Sequence, residues 1–599
     1  MQRTALAAAL FAAIALSACS SAPEERDALS PSSAPSSTPT DDPAPQPAMP
    51  PPSPPAPPAP ASEVRDAGSA GATLDQVVVT GARARAEQEM SARMLAAPAP
   101  ASAPLSYEMV APPPHAQPTN TENYAERDDN PAQRVAEQPV STFSIDVDTG
   151  SYSNVRRMVR QGVRPPADAV RAEEFINYFD YGHPGPESLD TPFRATTEVA
   201  PAPWDQRRHL LMIGIKGFDV PKPQLPPANL VFLLDTSGSM NSPDKLPLLK
   251  QSFAELTGQL RAQDRVSIVV YAGSAGLVLP PTPGDRKDEI IAALDRLEAG
   301  GSTNGGDGIR LAYAMARRGF VEDGVNRVIL ATDGDFNVGT VDGGSLETMV
   351  ADQRKSGIAL TTLGFGTGNY NDHLAERLAD AGDGNHAYID TLQEARKVLV
   401  EEMSSTLLTI AQDVKIQVEF NPAQVAEYRL IGYENRMLAR EDFANDRVDA
   451  GDIGAGHEVT ALYEITLAGS GAERLPLLRY GGAQAAVPAA GSDELAHLRL
   501  RYKRPGESDS RLIEAPVLRS AIRAQPGEAM RFAASVAAYA DALRGGTHLG
   551  AWDWTAIADG ARAARGADRW QLRAEFLDLV QASRALVADA GDVEEPALS

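Results

Sequence analysis

A single cysteine, Cys19, serves all 599 residues, so no disulfide can form within the chain and its folded parts must rely on their cores. The eight histidines are scattered without metal-ligand spacing, and neither a Gly-x-Ser-x-Gly turn nor a phosphate-binding glycine loop occurs. Those absences set aside histidine-ligated metal chemistry, esterase-type nucleophile elbows and P-loop nucleotide binding. Long hydrophobic runs are missing too, and the apolar stretch at residues 5–16 is too short to cross a bilayer as a helix. Bases are in deficit, 55 against 80 acids, for a formal net charge of −25. That balance argues against nucleic acid and against direct adhesion to anionic headgroups.

The most informative stretch that is present runs Asn229-Leu-Val-Phe-Leu-Leu-Asp235-Thr-Ser237-Gly-Ser239-Met240. Its apolar run has the pattern of a strand covered on both faces, and it stops at an acid followed by two hydroxyls. The oxygens therefore emerge at the carboxyl end of a strand, where open parallel α/β sheets bind ligands. An Asp-x-Ser-x-Ser turn also serves as a helix cap, so by itself it is ambiguous. Two further segments extend it. Thr303 lies in Gly300-Gly-Ser-Thr303-Asn-Gly-Gly, a glycine-rich loop ahead of a helical run, and Asp333 ends the apolar run Val328-Ile-Leu-Ala-Thr-Asp333-Gly334. Two carboxylates and three hydroxyls can thus share one site; Asp335 reads as a solvated loop acid.

These three segments, in this order, resemble the metal-ion-dependent adhesion site of von Willebrand factor type A domains and integrin inserted domains. The resemblance implies that Ser237 and Ser239 coordinate the ion directly, Thr303 directly or through water, and Asp235 and Asp333 largely through water. Magnesium, or manganese in its place, is the implied ion. Magnesium takes oxygen ligands in a near-octahedral shell and commonly keeps waters, and hydroxyl ligands leave its charge poorly neutralised. The expected partner is a protein that offers an Asp or Glu to the open position, which makes the ion a bridge and not a catalyst. An acidic chain repels an acidic partner at long range, so that partner is expected to carry basic patches as well.

The surroundings alternate between strand and helix patterns. Leu249, Phe253, Leu256 and Leu260 make one helical face within residues 245–260, and 266–271 reads as a strand. Helices are expected at 288–297, 309–316, 371–381 and 392–408, and strands at 358–365 and 386–389. The expected class is α/β: a doubly wound, mostly parallel sheet at residues 226–408, with smaller α+β flanking domains at 137–225 and 409–599.

At the front, Arg3, the apolar run and Leu16-Ser17-Ala18-Cys19 make a signal-like segment, 1–18. The last four residues resemble the lipobox of bacterial lipoproteins, which implies cleavage before Cys19 and a lipid anchor on it. Ser20 after the lipidated residue, by similarity to Gram-negative lipoproteins, points to the outer membrane, with the folded part facing mainly the periplasm. Residues 19–136, rich in Pro, Ala, Ser and Glu, read as an extended disordered tether. Within them Val77-Val-Val79-Thr80-Gly81 resembles the energy-coupling box of TonB-dependent receptors, which is captured by strand addition, so a TonB contact and an accessory role in transport stand as an alternative.

Both flanks resemble those of bacterial von Willebrand A lipoproteins. On the amino-terminal side the likeness rests on Arg171-Ala-Glu-Glu-Phe-Ile-Asn-Tyr-Phe179, in an expected helix at 166–178, and on Ala202-Pro-Trp204. On the carboxyl-terminal side it rests on strands followed by helices at 529–543 and 570–586. Phe143-Ser-Ile-Asp146-Val-Asp148-Thr149-Gly150-Ser151 supplies the competing enzyme reading, a hydrolase centred on Asp146 and Asp148. Aspartic proteases need two such turns to share a proton, and no second Asp-Thr-Gly or Asp-Ser-Gly occurs. The expected role is a structural turn against the metal-site domain, in a protein that is not an enzyme.

Overall fold

The computed structural model describes residues 122–301, 305–334, 343–368, 370–476 and 493–591; Cys19, the segment Val77 to Gly81, Thr303 and Asp335 lie outside them. In chain order the first strands are β1 (Gln133–Arg134) and β2 (Val140–Ser144), followed by helices α1 (Gly150–Arg160) and α2 (Ala172–Asn177) and strands β3 (Phe193–Ala202) and β4 (Asp205–Gly217). The central part runs β5 (Ala228–Asp235), α3 (Leu246–Gln259), β6 (Arg265–Tyr271), β7 (Ala275–Pro283), α4 (Lys287–Asp295), α5 (Gly305–Arg318), β8 (Val325–Thr332), α6 (Gly343–Arg354), β9 (Ala359–Phe365), α7 (Asp372–Ala381), β10 (His386–Ile389), α8 (Leu392–Arg396) and α9 (Met403–Leu407). Strands β11 (Thr409–Phe420), β12 (Val425–Ile431), β13 (Ile453–Gly454), β14 (Glu458–Leu467), β15 (Glu494–Lys503) and β16 (Arg511–Leu518) follow, and helices α10 (Glu528–Arg544), α11 (Trp554–Ala563) and α12 (Leu572–Gly591) close the chain.

The central sheet has the order β10-β9-β8-β5-β6-β7 and is parallel except for β7. Alternation along its strands divides the side chains between two cores. Leu230, Phe232 and Leu234 of β5 and Ile329 and Ala331 of β8 face one, while Val231, Leu233, Val328 and Leu330 face the other under α5. Strand β7 is absent from the sequence reading because Pro280, Pro281 and Pro283 speak against a strand. An edge tolerates them, since one side of β7 needs no ladder donors. Helix α6 is likewise not expected from the sequence.

Two expected helices are interrupted. Residues 392–408 form α8, a π turn at Lys397–Glu401 closed by the Glu402 N–H on the Lys397 carbonyl, and α9. Lys397 sits over the ring of Tyr178, 4.4 Å from its centroid, which pins the widened turn. Residues 166–178 form a short 3₁₀ turn, Ala167–Ala169, and then α2. At the break Ser151 Oγ accepts the Arg171 N–H and donates to the Ala169 carbonyl, so the interrupted backbone is satisfied from α1.

The two flanks share their sheets. One has the order β1-β12-β14-β4-β3; in the other β11 lies between β15 and β2, with Gln417 opposite Thr142. Residues 122–136, read from composition as the end of the tether, pack on this framework: Val135 is buried, and Glu122 pairs with Arg157 at 2.9 Å. Helices α1, α2, α10, α11 and α12 enclose an aromatic core in which Phe179 meets Phe532 and Phe576 edge-on. Among the described residues no helix is long and apolar enough to cross a membrane.

Two buried ionic nodes join the flanks to the central domain. Arg156 of α1, 2% exposed, forks onto Asp390 at 2.8 and 2.5 Å and donates to Glu394 at 2.7 Å and to Glu575 of α12 at 3.0 Å. Tyr178 accepts from Arg156 and donates to Glu394. In the second node Asp146 accepts the Asp148 N–H, Asp148 accepts the His386 N–H at 2.8 Å, and Arg436 pairs with Asp146, Asp148 and Asp380. Arg171 pairs with Glu174 and Asp372, and Glu173 accepts the Tyr433 N–H at 2.9 Å. Burial, with the Glu434, Asp146 and Glu174 carboxylates nearby, pushes Glu173 up to about 8.

Replacing Arg156 by Met should cost about 3–5 kcal/mol, because buried carboxylates lose their counter-charge; the shift of the urea midpoint measures it, and a near-neutral result would contradict the node's importance. Glu173 carries a pH signature. Below about 4.5 folded and unfolded chains both hold its proton, and between there and about 8 only the folded chain does. Stability therefore falls as pH rises through that window. Glu173→Gln should flatten the slope in urea melts at a series of pH values, and an unchanged slope would assign the titration elsewhere.

Candidate metal centre

Strand β5 delivers Asp235 to the carboxyl edge of the sheet beside β6 and β8. The chain then turns because Asp235 Oδ1 accepts the Ser237 N–H at 2.8 Å, while Oδ2 lies 3.4 Å from the Thr332 hydroxyl at the end of β8. That turn brings the Ser237 and Ser239 hydroxyl oxygens to 3.0 Å from each other. Ser237 is buried and Ser239 exposed, so the group opens to solvent on the serine side. The glycine-rich loop is laced to the same turn. Gly300 N–H donates to the Thr236 carbonyl at 2.8 Å, and Gly238 N–H to the Gly301 carbonyl at 3.0 Å.

Asp333 follows β8 and is fully buried. Its successor Gly334 has φ +89°, and a Cβ there would collide with the backbone of Tyr370 and Asn371, so the glycine after the acid is sterically required. Lys245, at the start of α3, donates from Nζ to Asp333 Oδ2 at 2.8 Å. Burial raises the Asp235 carboxyl to about 6, the Ser237 N–H working against it and the Asp333 carboxylate with it.

The structure therefore brings together Asp235, Ser237, Ser239 and Asp333, four of the five expected ligands; the fifth, Thr303, lies outside the described residues, although the Gly300–Gly301 approach to it is seen. The donors are all oxygen, and of the two buried carboxylates Asp333 is paired with the Lys245 ammonium. Such a set fits a hard divalent cation. Beside it a cleft of about 660 Å³ begins at Met240 and Asn241 and is floored by Leu246 and Leu297.

The competing acids Asp146 and Asp148 are 3% and 4% exposed and committed to Arg436 and to the His386 backbone. Burial and the neighbouring Asp146 hold the Asp148 carboxyl well above its ordinary range. Two other groups of acids gather among the described residues, Asp146 with Glu173 and Glu174, and Asp129 with Asp541 and His548. Arginines already attend them: Arg436 and Arg171 the first, Arg544 the second at 2.8 Å from Asp129. The sequence gives no sign of either group, nor of Lys245, since their members come from segments that only the fold brings together.

Comparison with known proteins matches three consecutive segments of the chain, the middle one containing the central sheet. Residues 229–402 match the family model described as von Willebrand factor type A domain, 405–586 the one described as the C-terminal part of the uncharacterized protein YfbK, and 118–212 the one described as von Willebrand factor. The uncharacterized protein YfbK of Escherichia coli is 50% identical over 467 residues, 77% of this chain and 81% of its own length. The uncharacterized protein sll0103 of Synechocystis is 26% identical over 329 residues, 53% of this chain and 71% of its own. The solved von Willebrand factor type A protein from Catenulispora acidiphila aligns with 69% of this chain and 89% of its own at 14% identity, with a TM-score of 0.36. A half-identical relative of which four-fifths is spanned, together with matches to its C-terminal and central domains, places this chain in the YfbK family of bacterial proteins containing a von Willebrand factor type A domain.

Proposed function

We propose that this protein is an adhesion module of the bacterial envelope, lipid-anchored to the outer membrane through Cys19 and facing the periplasm, and that it grips a protein partner through a magnesium or manganese ion held by its central domain. The observation that carries the reading is the meeting of Asp235, Ser237, Ser239 and Asp333 at the carboxyl edge of a parallel sheet. Ser237 and Ser239 would hold the ion directly, Thr303 directly or through water, and Asp235 and Asp333 largely through water. When bound, the ion supplies an open coordination position for an Asp or Glu of the partner.

The chain's own part is positioning and charge. Asp235 is committed through one oxygen to the backbone of its own turn, which fixes the two serine hydroxyls as a pair. Hydroxyls in place of further carboxylates leave the ion electrophilic towards an outside acid. The exposed side of the group lies at Ser239, next to the cleft that begins at Met240, which gives a partner room to approach. The acids of the hydrolase alternative, Asp146 and Asp148, are occupied by Arg436 and the His386 backbone.

Calorimetric titration of the full chain with magnesium should give saturable binding that Asp235→Ala and Ser237→Ala each abolish, and a partner captured from envelope extract should be released by chelator. Binding retained in both variants would place the ion elsewhere. Cys19→Ala should move the protein from the membrane fraction to the soluble one on fractionation; if it stays with the membrane, the anchor is not at Cys19.

A further inference from the structure

We infer that Lys245 sets the affinity of the metal centre: its ammonium is a built-in counter-ion on Asp333 that must be displaced before a divalent ion can use that carboxylate. This inference rests on the metal-site reading above and deepens it.

The pair is built into the fold. Lys245 Nζ donates to Asp333 Oδ2 at 2.8 Å, with side chains 7% and 0% exposed. The aliphatic stem of Lys245 lies against Gly366, the first residue after β9, where φ is +75° and any Cβ would collide with it. The Tyr388 hydroxyl donates to the Gly366 carbonyl and so fixes that wall of the slot. Three segments thus cooperate to lead one lysine to one carboxylate.

The position is not explained by the helix that Lys245 precedes. A cation at the amino-terminal end of α3 opposes the helix dipole, whereas its pairing with Asp333 is favourable. There it supplies part of the positive charge that a divalent ion would bring. Two cations at one buried carboxylate repel each other in a medium that screens poorly, so lysine and ion compete for it. Lysine suits such an exchange, being a compact charge on a flexible stem without the planar fork of arginine. The lysine pairs with Asp333, whose carboxylate in turn raises the neighbouring Asp235.

The test is a calorimetric magnesium titration of the full-length wild type, Lys245→Met, Lys245→Arg and Asp235→Ala/Lys245→Met, with thermal melts of each in chelator and in excess magnesium. Lys245→Met should bind magnesium about ten-fold more tightly than wild type or better, the scale of one charged hydrogen bond. Lys245→Arg should bind no more tightly than wild type, and the double variant should not bind. Without magnesium Lys245→Met should melt below wild type, and magnesium should raise its melting temperature by more than it raises the wild type's. Unchanged affinity in Lys245→Met, with binding still lost in the double variant, overturns the role of the lysine and leaves the metal reading standing. No binding in wild type and Lys245→Met alike overturns both. Should Lys245→Met prove too unstable for calorimetry, the melts decide: recovery with magnesium supports the inference, and indifference to magnesium overturns it.

Discussion

Arg156 stands almost without water among Asp390, Glu394 and Glu575, and the docking of three parts of the chain depends on that meeting. Its helix belongs to the amino-terminal flank, two of its acids to the end of the central domain and the third to the last helix. A buried ion pair of this kind returns little net stability over an apolar contact, because each charge must be stripped of water. What it returns is discrimination. A misplaced flank would leave a guanidinium and several carboxylates buried and unpaired, whereas the native placement satisfies the fork on two sides at once and engages the Tyr178 hydroxyl as well. The Arg436 node works in the same sense from the other flank, reaching Asp146, Asp148 and Asp380 from a turn after β12.

With those joints in place, the metal centre needs little else to position it. Parallel strands β5 and β8 are hydrogen-bonded neighbours in register, so Asp235, which ends β5, and Asp333, which follows β8, emerge at the same edge of the sheet. The turn after β5 is tied by its own carboxylate and by the Gly300–Gly301 loop. Geometry is thus inherited from the sheet, while the site's charge is adjusted by a residue outside the recognised pattern, Lys245.

Much of this was legible beforehand. Strands β5, β6, β8, β9 and β10 announce themselves as short apolar runs because both faces of the sheet are covered, and Asp235, Ser237, Ser239 and Asp333 stand at their ends, where chemistry is expected. Illegible features have physical reasons. The prolines of β7 speak against a strand unless its edge position is known, and the break in residues 166–178 is repaired by a hydroxyl from another helix. Lys245 looks like any surface lysine until Gly366 and Asp333 are seen around it. Residues 122–136 have the composition of a tether, yet the flanks supply partners such as Arg157 for Glu122.

The sharing of sheets between the flanks has a consequence in time. Thr142 on β2 and Gln417 on β11 touch although they lie 275 positions apart in the chain, so the strand made early has no mate until the whole central domain has been made. The central domain, contiguous in sequence, can close first, and in closing it brings its two ends near enough for the waiting strand to be claimed. Until then β2 is an open edge, which makes the interval between the two syntheses the period in which a nascent copy is most exposed to pairing with the wrong neighbour.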